Sequence, residues 1–358
     1  MGQMVKELEF YKGKRVLVTG DTGFKGSWLC LWLKELGADV VGLALPPQTK
    51  RDHYQVLGLS ERIHHIDGDI RDAELLENTC RKFKPQLLFH LAAQPLVRLS
   101  YAEPKLTYDT NVGGSVNVLE AARKTESLRS LIFVTTDKCY KNREWIWGYR
   151  ETDELGGHDP YSASKAAAEL VFASYLKSFF SNKGACGLAS VRAGNVIGGG
   201  DWSEDRIVPD CIKALQQGEP IVLRNPSATR PWQHVLEPLW GYLKLAANVF
   251  AEPQQYSGSW NFGPANSGMH TVEALVQQIT MQWGGGEVVV ESQKKVLHEA
   301  GLLHLNCDKA HFNLQWHSQW GFEKTVQETV GWYQAVLGGM DALEKSTMQI
   351  QEFQEGCL

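Results

Sequence analysis

The sequence predicts an α/β protein, a doubly wound parallel sheet followed by a smaller C-terminal α/β part. Three observations carry that reading. Apolar, β-branched runs alternate with helical stretches from Arg15 to about residue 180, the pattern of parallel strands joined by crossover helices. A glycine-rich turn, Gly20-Asp21-Thr22-Gly23-Phe24-Lys25-Gly26, stands between the first such run and the first helix. A fifth run ends in polar, protonatable side chains and leads to a helix with Tyr and Lys four positions apart.

Residues 15–19 (RVLVT) form the first strand, and a helix is expected over 28–36. In the turn between them, glycines let a ligand approach the backbone, and the free amides of the helix start meet an anion. That makes a seat for a diphosphate, with Gly20, Thr22, Gly23, Phe24, Lys25 and Gly26 as candidate contacts. Residues 38–45 are the second strand. An acidic residue near its end ordinarily holds the adenosine ribose of a dinucleotide. Here Leu43, Ala44 and Leu45 stand instead, so that contact is missing.

The third strand, 63–66, runs into Asp67-Gly68-Asp69-Ile70-Arg71-Asp72. Asp69 and Ile70 are candidates for the adenine, against the plain alternative of a solvated Asp-rich turn. The fourth strand, 87–91, is followed by Ala92, Ala93 and Gln94, which suit the lining of a cofactor. A helix over 104–124 carries Asn111, a further cofactor candidate.

The fifth strand begins at Leu131 and closes on Thr135-Thr136-Asp137-Lys138-Cys139-Tyr140. Asp159 is a helix N-cap and Pro160 suits the first helical position. Tyr161 and Lys165 then project from one face of that helix. An ammonium beside a phenol favours the phenolate, drawing a pKa of about 10 towards neutrality and making Tyr161 a base. Tyr and Lys at this spacing alone mean little; the Thr-Asp-Lys strand end and the glycine turn give the pair its weight.

Residues 187–191 are a sixth strand, and a loop from Arg192 to Asp201 carries Asn195. Further on come a helix over 207–217, a short strand over 221–224, the segment Arg230-Pro231-Trp232-Gln233-His234-Val235, and helices over 237–249 and 270–283. The Gln/Glu-rich end, 341–358, reads as a helical or loose tail. The division is placed near 185: residues 1–185 bind the dinucleotide, and 186–358 mainly the substrate, with the chain crossing between them.

With 358 residues, 43% hydrophobic and 22% charged, the chain is an ordinary globular one with ample core. A net charge of −5 gives no electrostatic reason to expect nucleic acid or an anionic membrane as partner. No apolar run reaches bilayer length, and the first fourteen residues are charged rather than signal-like, so a cytoplasmic location is expected. Seven scattered Cys without a CxxC pair read as reduced thiols, with no metal site.

The turn Thr19 to Gly26, Asp-Gly-Asp at 67–69, Thr136-Asp137-Lys138 and Tyr161…Lys165 resemble the extended short-chain dehydrogenase/reductase family over nearly the whole chain. The resemblance implies a Rossmann-like fold, bound NAD, and a homodimer or homotetramer. Within it, Gly23-Phe24-Lys25-Gly26-Ser27-Trp28, Thr136 to Tyr140 and Arg230 to Val235 are most similar to the CDP-glucose 4,6-dehydratases. That implies CDP-glucose as substrate, its conversion to a 4-keto-6-deoxy sugar, and a place in deoxysugar (O-antigen type) synthesis. Two positions depart from the usual dehydratase pattern: Lys138 replaces a Glu, and the second strand lacks its acidic end.

Carried over by motif, Tyr161 with Lys165 takes the proton of the sugar 4-hydroxyl and Thr136 orients that oxygen. Asp137, its pKa raised by burial, is the acid at C6. Lys138 is either the base at C5, as a neutral amine, or a charged partner of Asp137 that steadies the enolate on the C4 oxygen. Arg230, Asn195 and Arg206 are candidates for the substrate diphosphate, with Arg192 another. Trp232 and His234 are more readily core than pocket. The alternatives are a nucleotide-sugar 4-epimerase, a dehydratase of another nucleotide-glucose, and a catalytically silent nucleotide-binding regulator.

Overall fold

A computed structural model describes residues 8–180, 186–264, 269–291 and 302–356. The expectations for the extreme N-terminus, Cys357 and the last two residues of the tail lie outside these.

Seven parallel strands make one sheet: β1 Arg15–Thr19, β2 Asp39–Ala44, β3 His64–Asp67, β4 Leu87–His90, β5 Ser130–Val134, β6 Gly187–Ala193 and β7 Gly258–Phe262. Their order is 7-6-5-4-1-2-3. The chain reverses direction of travel across the sheet between β1 and β4, and ligands of such sheets bind outside the carboxyl ends at that point. Central strands covered on both faces read as continuous apolar runs; β5 and β6 are buried at every position. One face is packed by Trp28, Trp32, Leu239 and Leu243, the other by Leu76, Val118, Leu119 and Phe172.

The sheet takes two strands, β6 and β7, from beyond residue 185, so the chain re-enters the dinucleotide side after the Tyr/Lys helix. The helix expected over 104–124 is one path in three pieces, Pro104–Tyr108, a π-helical Asp109–Gly114 and Ser115–Arg123. The widened turn sits at Asn111, where such turns commonly mark function.

The C-terminal end is a helix, Ala342–Gly356, and it is packed rather than loose. Ile350 and Phe353 are buried, and the Gln349 amide donates to Glu328 O at 2.8 Å. It docks on the glycine-turn helix, Phe24–Glu35, through His53. Ser27 Oγ lies 2.8 Å from His53 Nδ1, and His53 Nε2 lies 3.2 Å from Ser346 Oγ. Trp28 stacks on the same imidazole and its indole donates to Gly199 O at 3.0 Å. The start of the glycine-turn helix is thereby pinned to the loop after β6.

Candidate active site

The glycine turn is tight where it meets protein and open where it faces solvent. Gly20 has φ of +81°, and a Cβ there would lie 2.6 Å from Ala92 N. A Cβ on Gly26 would lie 2.0 Å from Gly20 O. Only glycine fits either position. Gly23 is exposed, and as N-cap it has no side chain satisfying the first helical amides. Those amides form an anion cradle, so the residues present fit the diphosphate of NAD.

At the adenosine end the missing carboxylate leaves a gap: β2 ends at Ala44, and Leu45 beyond it is 59% exposed. Thr22 Oγ1 donates to Leu45 O at 2.9 Å, which ties the turn to this strand end. Asp21 lies under the turn, fully buried over Gly42, its Oδ2 2.7 Å from His65 Nδ1. The Asp69 carboxylate is gripped by Arg71 at 2.6 Å, which holds it below the usual carboxylate range. Ile70 is buried against Gly114.

Asn111 and Gln94, expected as cofactor contacts, spend their side chains on the protein. Asn111 Oδ1 accepts from Gln94 N at 2.8 Å, while Nδ2 donates to Gln94 O at 3.0 Å and Ser164 Oγ at 2.9 Å. Gln94 Nε2 donates to Thr107 Oγ1 and Leu96 O. This clamp fixes the loop after β4, with Ala92 and Ala93, against the Tyr/Lys helix.

That helix, Pro160–Tyr175, starts as its sequence dictates, with Asp159 Oδ1 accepting from Ser162 N at 2.9 Å. It delivers Tyr161 and Lys165 to the end of β5, both largely buried. Thr136 lies close enough to the Tyr161 hydroxyl to offset part of the effect of its burial. Thr136 Oγ1 also donates to Asp137 Oδ1 at 2.9 Å. Asp137 is 1% exposed, and its second oxygen, Oδ2, is buried with no partner among the described residues. Lys138 Nζ lies 3.1 Å from Asp137 Oδ1 and 3.4 Å from Asn195 Oδ1.

The electrostatics correct one expectation. Burial pushes Tyr161 up to about 12, and Lys165 is not among the charges that oppose it. Burial also brings Lys165 down to about 8, with Nζ donating to Val134 O at 3.4 Å. The Lys165 ammonium donates to a backbone carbonyl, so burial rather than its charge dominates at the Tyr161 phenol. Lys138 is likewise committed to an ion pair rather than set beside Lys165 as a free amine.

Below the site lies a pair that the linear pattern does not disclose. Arg192 makes a two-pronged ion pair with Glu169, at 2.9 and 2.7 Å, and donates to Tyr140 Oη at 2.7 Å. Thr135 Oγ1 also donates to Glu169. Arg192 is therefore structural and not a phosphate ligand. Glu169 lies one helical turn after Lys165, the only hint of it in the sequence. Arg206 pairs with Asp201 at 2.8 Å and places its charge near Tyr161. Arg230 lies on a short strand, Thr229–Pro231, whose Pro231 packs on Gly194 beside Asn195. Trp232 and His234 are buried core.

Lys25 is expected from the sequence only as a glycine-turn contact, yet its charge faces Arg206, Asp137, Lys165 and Lys138 together. Among the described residues, no group of three or more His, Cys, Asp or Glu is arranged to hold a metal ion.

Known proteins match this arrangement over most of the chain. The family model described as GDP-mannose 4,6 dehydratase matches residues 17–329. The chain is 46% identical to the CDP-glucose 4,6-dehydratase of Salmonella typhimurium (strain LT2), covering 96% of this chain and 97% of that one. The UDP-glucose 4-epimerase of Thermus thermophilus, solved with NAD, is 26% identical with a TM-score of 0.75, covering 89% and 99% of the two chains. The dTDP-glucose 4,6-dehydratase of Bacillus anthracis str. Ames, solved with NAD, shares the fold at 23% identity and a TM-score of 0.76, over 92% and 100%. With its glycine cradle, its Thr136-Tyr161-Lys165 constellation and a match spanning both parts of the chain, the protein belongs to the GDP-mannose 4,6 dehydratase family of extended short-chain dehydrogenases/reductases.

Proposed function

We propose that this protein is an NAD-dependent CDP-D-glucose 4,6-dehydratase, a hydro-lyase forming CDP-4-keto-6-deoxy-D-glucose and water for deoxysugar (O-antigen type) synthesis. The observation that supports it most is the buried Asp137 carboxyl beside Thr136 and Tyr161, with Oδ2 unpartnered among the described residues. A 4-epimerase uses the Tyr/Lys pair but has no task for an acid at C6.

NAD, held by the turn Gly20 to Gly26 and the loop Ala92 to Gln94, supplies a hydride acceptor for C4, a hydride for C6 and a positive ring charge. A cation near a buried phenol lowers its pKa, so Tyr161 becomes a base once the site is loaded. Thr136 holds the 4-hydroxyl against Tyr161, which takes its proton, and Lys165 steadies the phenolate. The resulting C4 ketone acidifies the neighbouring C5–H. Asp137 then protonates the departing C6 hydroxyl through Oδ2, while Thr136 and Lys138 fix Oδ1.

The diphosphate falls to Arg206, Arg230 and Asn195, which surround the loop after β6. Residues 1–185 are assigned to the dinucleotide and 186–358 mainly to the sugar nucleotide. The Tyr/Lys helix leaves Leu170 62% exposed, and Phe179 just beyond it 52%, an apolar face suited to a homodimer or homotetramer. No helix among the described residues is long and apolar enough to cross a membrane, consistent with a cytoplasmic enzyme. The test is incubation with CDP-, dTDP-, UDP- and GDP-glucose. A 4-keto-6-deoxy product formed fastest from CDP-glucose supports the reading; a galactose epimer as product would replace it with the epimerase.

A further inference from the structure

An aspartate is an unexpected residue inside a turn that seats a diphosphate, because its charge has the sign of the ligand. Asp21 stands between Gly20 and Thr22, and Gly20 N donates to Leu43 O at 2.9 Å, which holds the turn on β2. A Cβ on Gly26 would lie 2.9 Å from Asp21 Cα, so this backbone runs directly behind the amides of the helix start. The side chain turns down against β2, where a Cβ on Gly42 would lie 2.1 Å from Asp21 Oδ2. Glycine at 42 leaves the room for that carboxylate, which is fully buried. A charge so buried needs a partner.

The partner is His65, on β3. Its Nδ1 lies 2.7 Å from Asp21 Oδ2, and its Nε2 lies 3.1 Å from Asp67 Oδ1. Carboxylates only accept, so both contacts are hydrogen bonds only when both ring nitrogens carry protons. The geometry is that of an imidazolium bridging two carboxylates. Among the described residues no other charge acts on the ring. Tyr54, on the helix His53–Val56, packs on it with ring centroids 5.3 Å apart, and Cys30 faces Asp21 from the glycine-turn helix. Burial pushes both of these groups well up, so they stay neutral. His64 turns to Phe83, on the opposite face of the strand.

We propose that His65 is a positioning residue of the cofactor site: its positive charge cancels that of Asp21 beneath the diphosphate seat, and NAD affinity depends on it. The proposal rests on NAD as cofactor, and not on which sugar is dehydrated. The same pair ties the turn to β2 and β3, so it sets both the shape of the seat and its charge.

The hydrogen bond to Asp21 raises His65 above its ordinary value; its burial opposes this, and Asp67 adds to the rise. Burial pushes the Asp21 carboxyl up, and His65 is the first group to oppose it. The His65 proton is therefore present at low pH and lost as pH rises through its raised pKa. The buried Asp21 charge then faces the diphosphate uncompensated, and NAD affinity falls. By the same linkage, bound NAD holds that proton more firmly.

The experiment measures NAD dissociation constants by calorimetry from pH 6 to 9 for wild type, His65→Gln, Asp21→Asn and the double variant. Other groups of the site titrate in this range, so the readout is the difference between proteins. Wild type should lose affinity as pH rises. His65→Gln should bind NAD roughly tenfold more weakly than wild type at pH 7, the effect of one uncompensated charge. Adding Asp21→Asn to it should recover most of that loss, a coupling that a role in packing alone would not produce. Asp21→Asn by itself should bind at least as tightly as wild type at pH 7 and lose less affinity towards pH 9. His65→Gln binding as tightly as wild type at pH 7, or a double variant no tighter than His65→Gln, would overturn the assignment. So would a wild-type pH profile in Asp21→Asn, which keeps the ring and decides the matter even where His65→Gln does not fold. A wild-type protein that binds no NAD at any of these pH values would instead overturn the cofactor reading.

Discussion

Lys138 Nζ and Asp137 Oδ1 form an ion pair at 3.1 Å, with Asn195 Oδ1 a further 3.4 Å contact of the same ammonium. The Lys therefore orients the carboxyl: it fixes one oxygen and leaves Oδ2 without a partner among the described residues. Asp137→Asn should retain oxidation at C4 yet lose dehydration by roughly 10²–10⁴-fold. Lys138→Met removes a charge-assisted bond of about 1.5–3 kcal/mol, a loss of roughly ten- to hundredfold in the elimination step. Exchange of the C5 hydrogen with solvent should continue at the normal rate in Lys138→Met. Its abolition there would return the base role to Lys138.

Tyr161→Phe removes the hydroxyl that takes the 4-hydroxyl proton. Turnover should fall by roughly 10²–10⁴-fold while the fold is kept, since the buried ring remains in place. Steady-state rates with matched circular dichroism check this, and near-normal turnover would reject the role.

The open end of β2 predicts a loose cofactor. A carboxylate near Ala44 would add charge-assisted hydrogen bonds to the ribose, about 1.5–3 kcal/mol each. Without it, purified protein should carry less than one NAD per chain, and dialysis should remove more. Discrimination against NADP should be modest, because no acid repels a 2′-phosphate at that strand end. Stoichiometric, undialysable NAD would contradict this.

Local pattern makes much of the frame legible. The first strand and the helix Ile207–Gln217 have the bounds their sequences predict, and Asp159 caps the Tyr/Lys helix. Strand β7 is not legible, because Gly258–Phe262 is one short run among helices and pairs only with β6. Nor is the Glu169–Arg192 pair, which exists only when helix and β6 are superposed. The C-terminal helix reads as loose because its few anchors, Ile350 and Phe353, are spaced among polar residues. Lys25 is legible by its backbone position alone, and only the packed structure shows which charges its side chain meets.

Three buried histidines set the acid limit of stability. Burial brings His53, His90 and His234 each down to about 3, and the added charges of Lys165 at His90 and Lys324 at His234 act in the same direction. The unfolded chain binds these protons below pH about 6.5, whereas the folded chain refuses them, so stability is present above that pH and lost progressively towards 3. Each histidine should cost about 2 kcal/mol at pH 5. Urea unfolding from pH 7 to 5 should show this fall, and His53→Gln should flatten part of it. An unchanged midpoint across that range would show that these rings are protonated in the fold.

The central claim is an internal hydrogen transfer from C4 to C6 coupled to loss of water, and one labelling experiment reaches it directly. CDP-glucose deuterated at C4 is incubated with the NAD-loaded enzyme, and the product is read by mass and proton spectra. The account predicts a 4-keto-6-deoxy sugar with the deuterium at C6 and no net consumption of NAD. Deuterium lost to solvent, or recovered at C4 of an epimerised hexose, would contradict it.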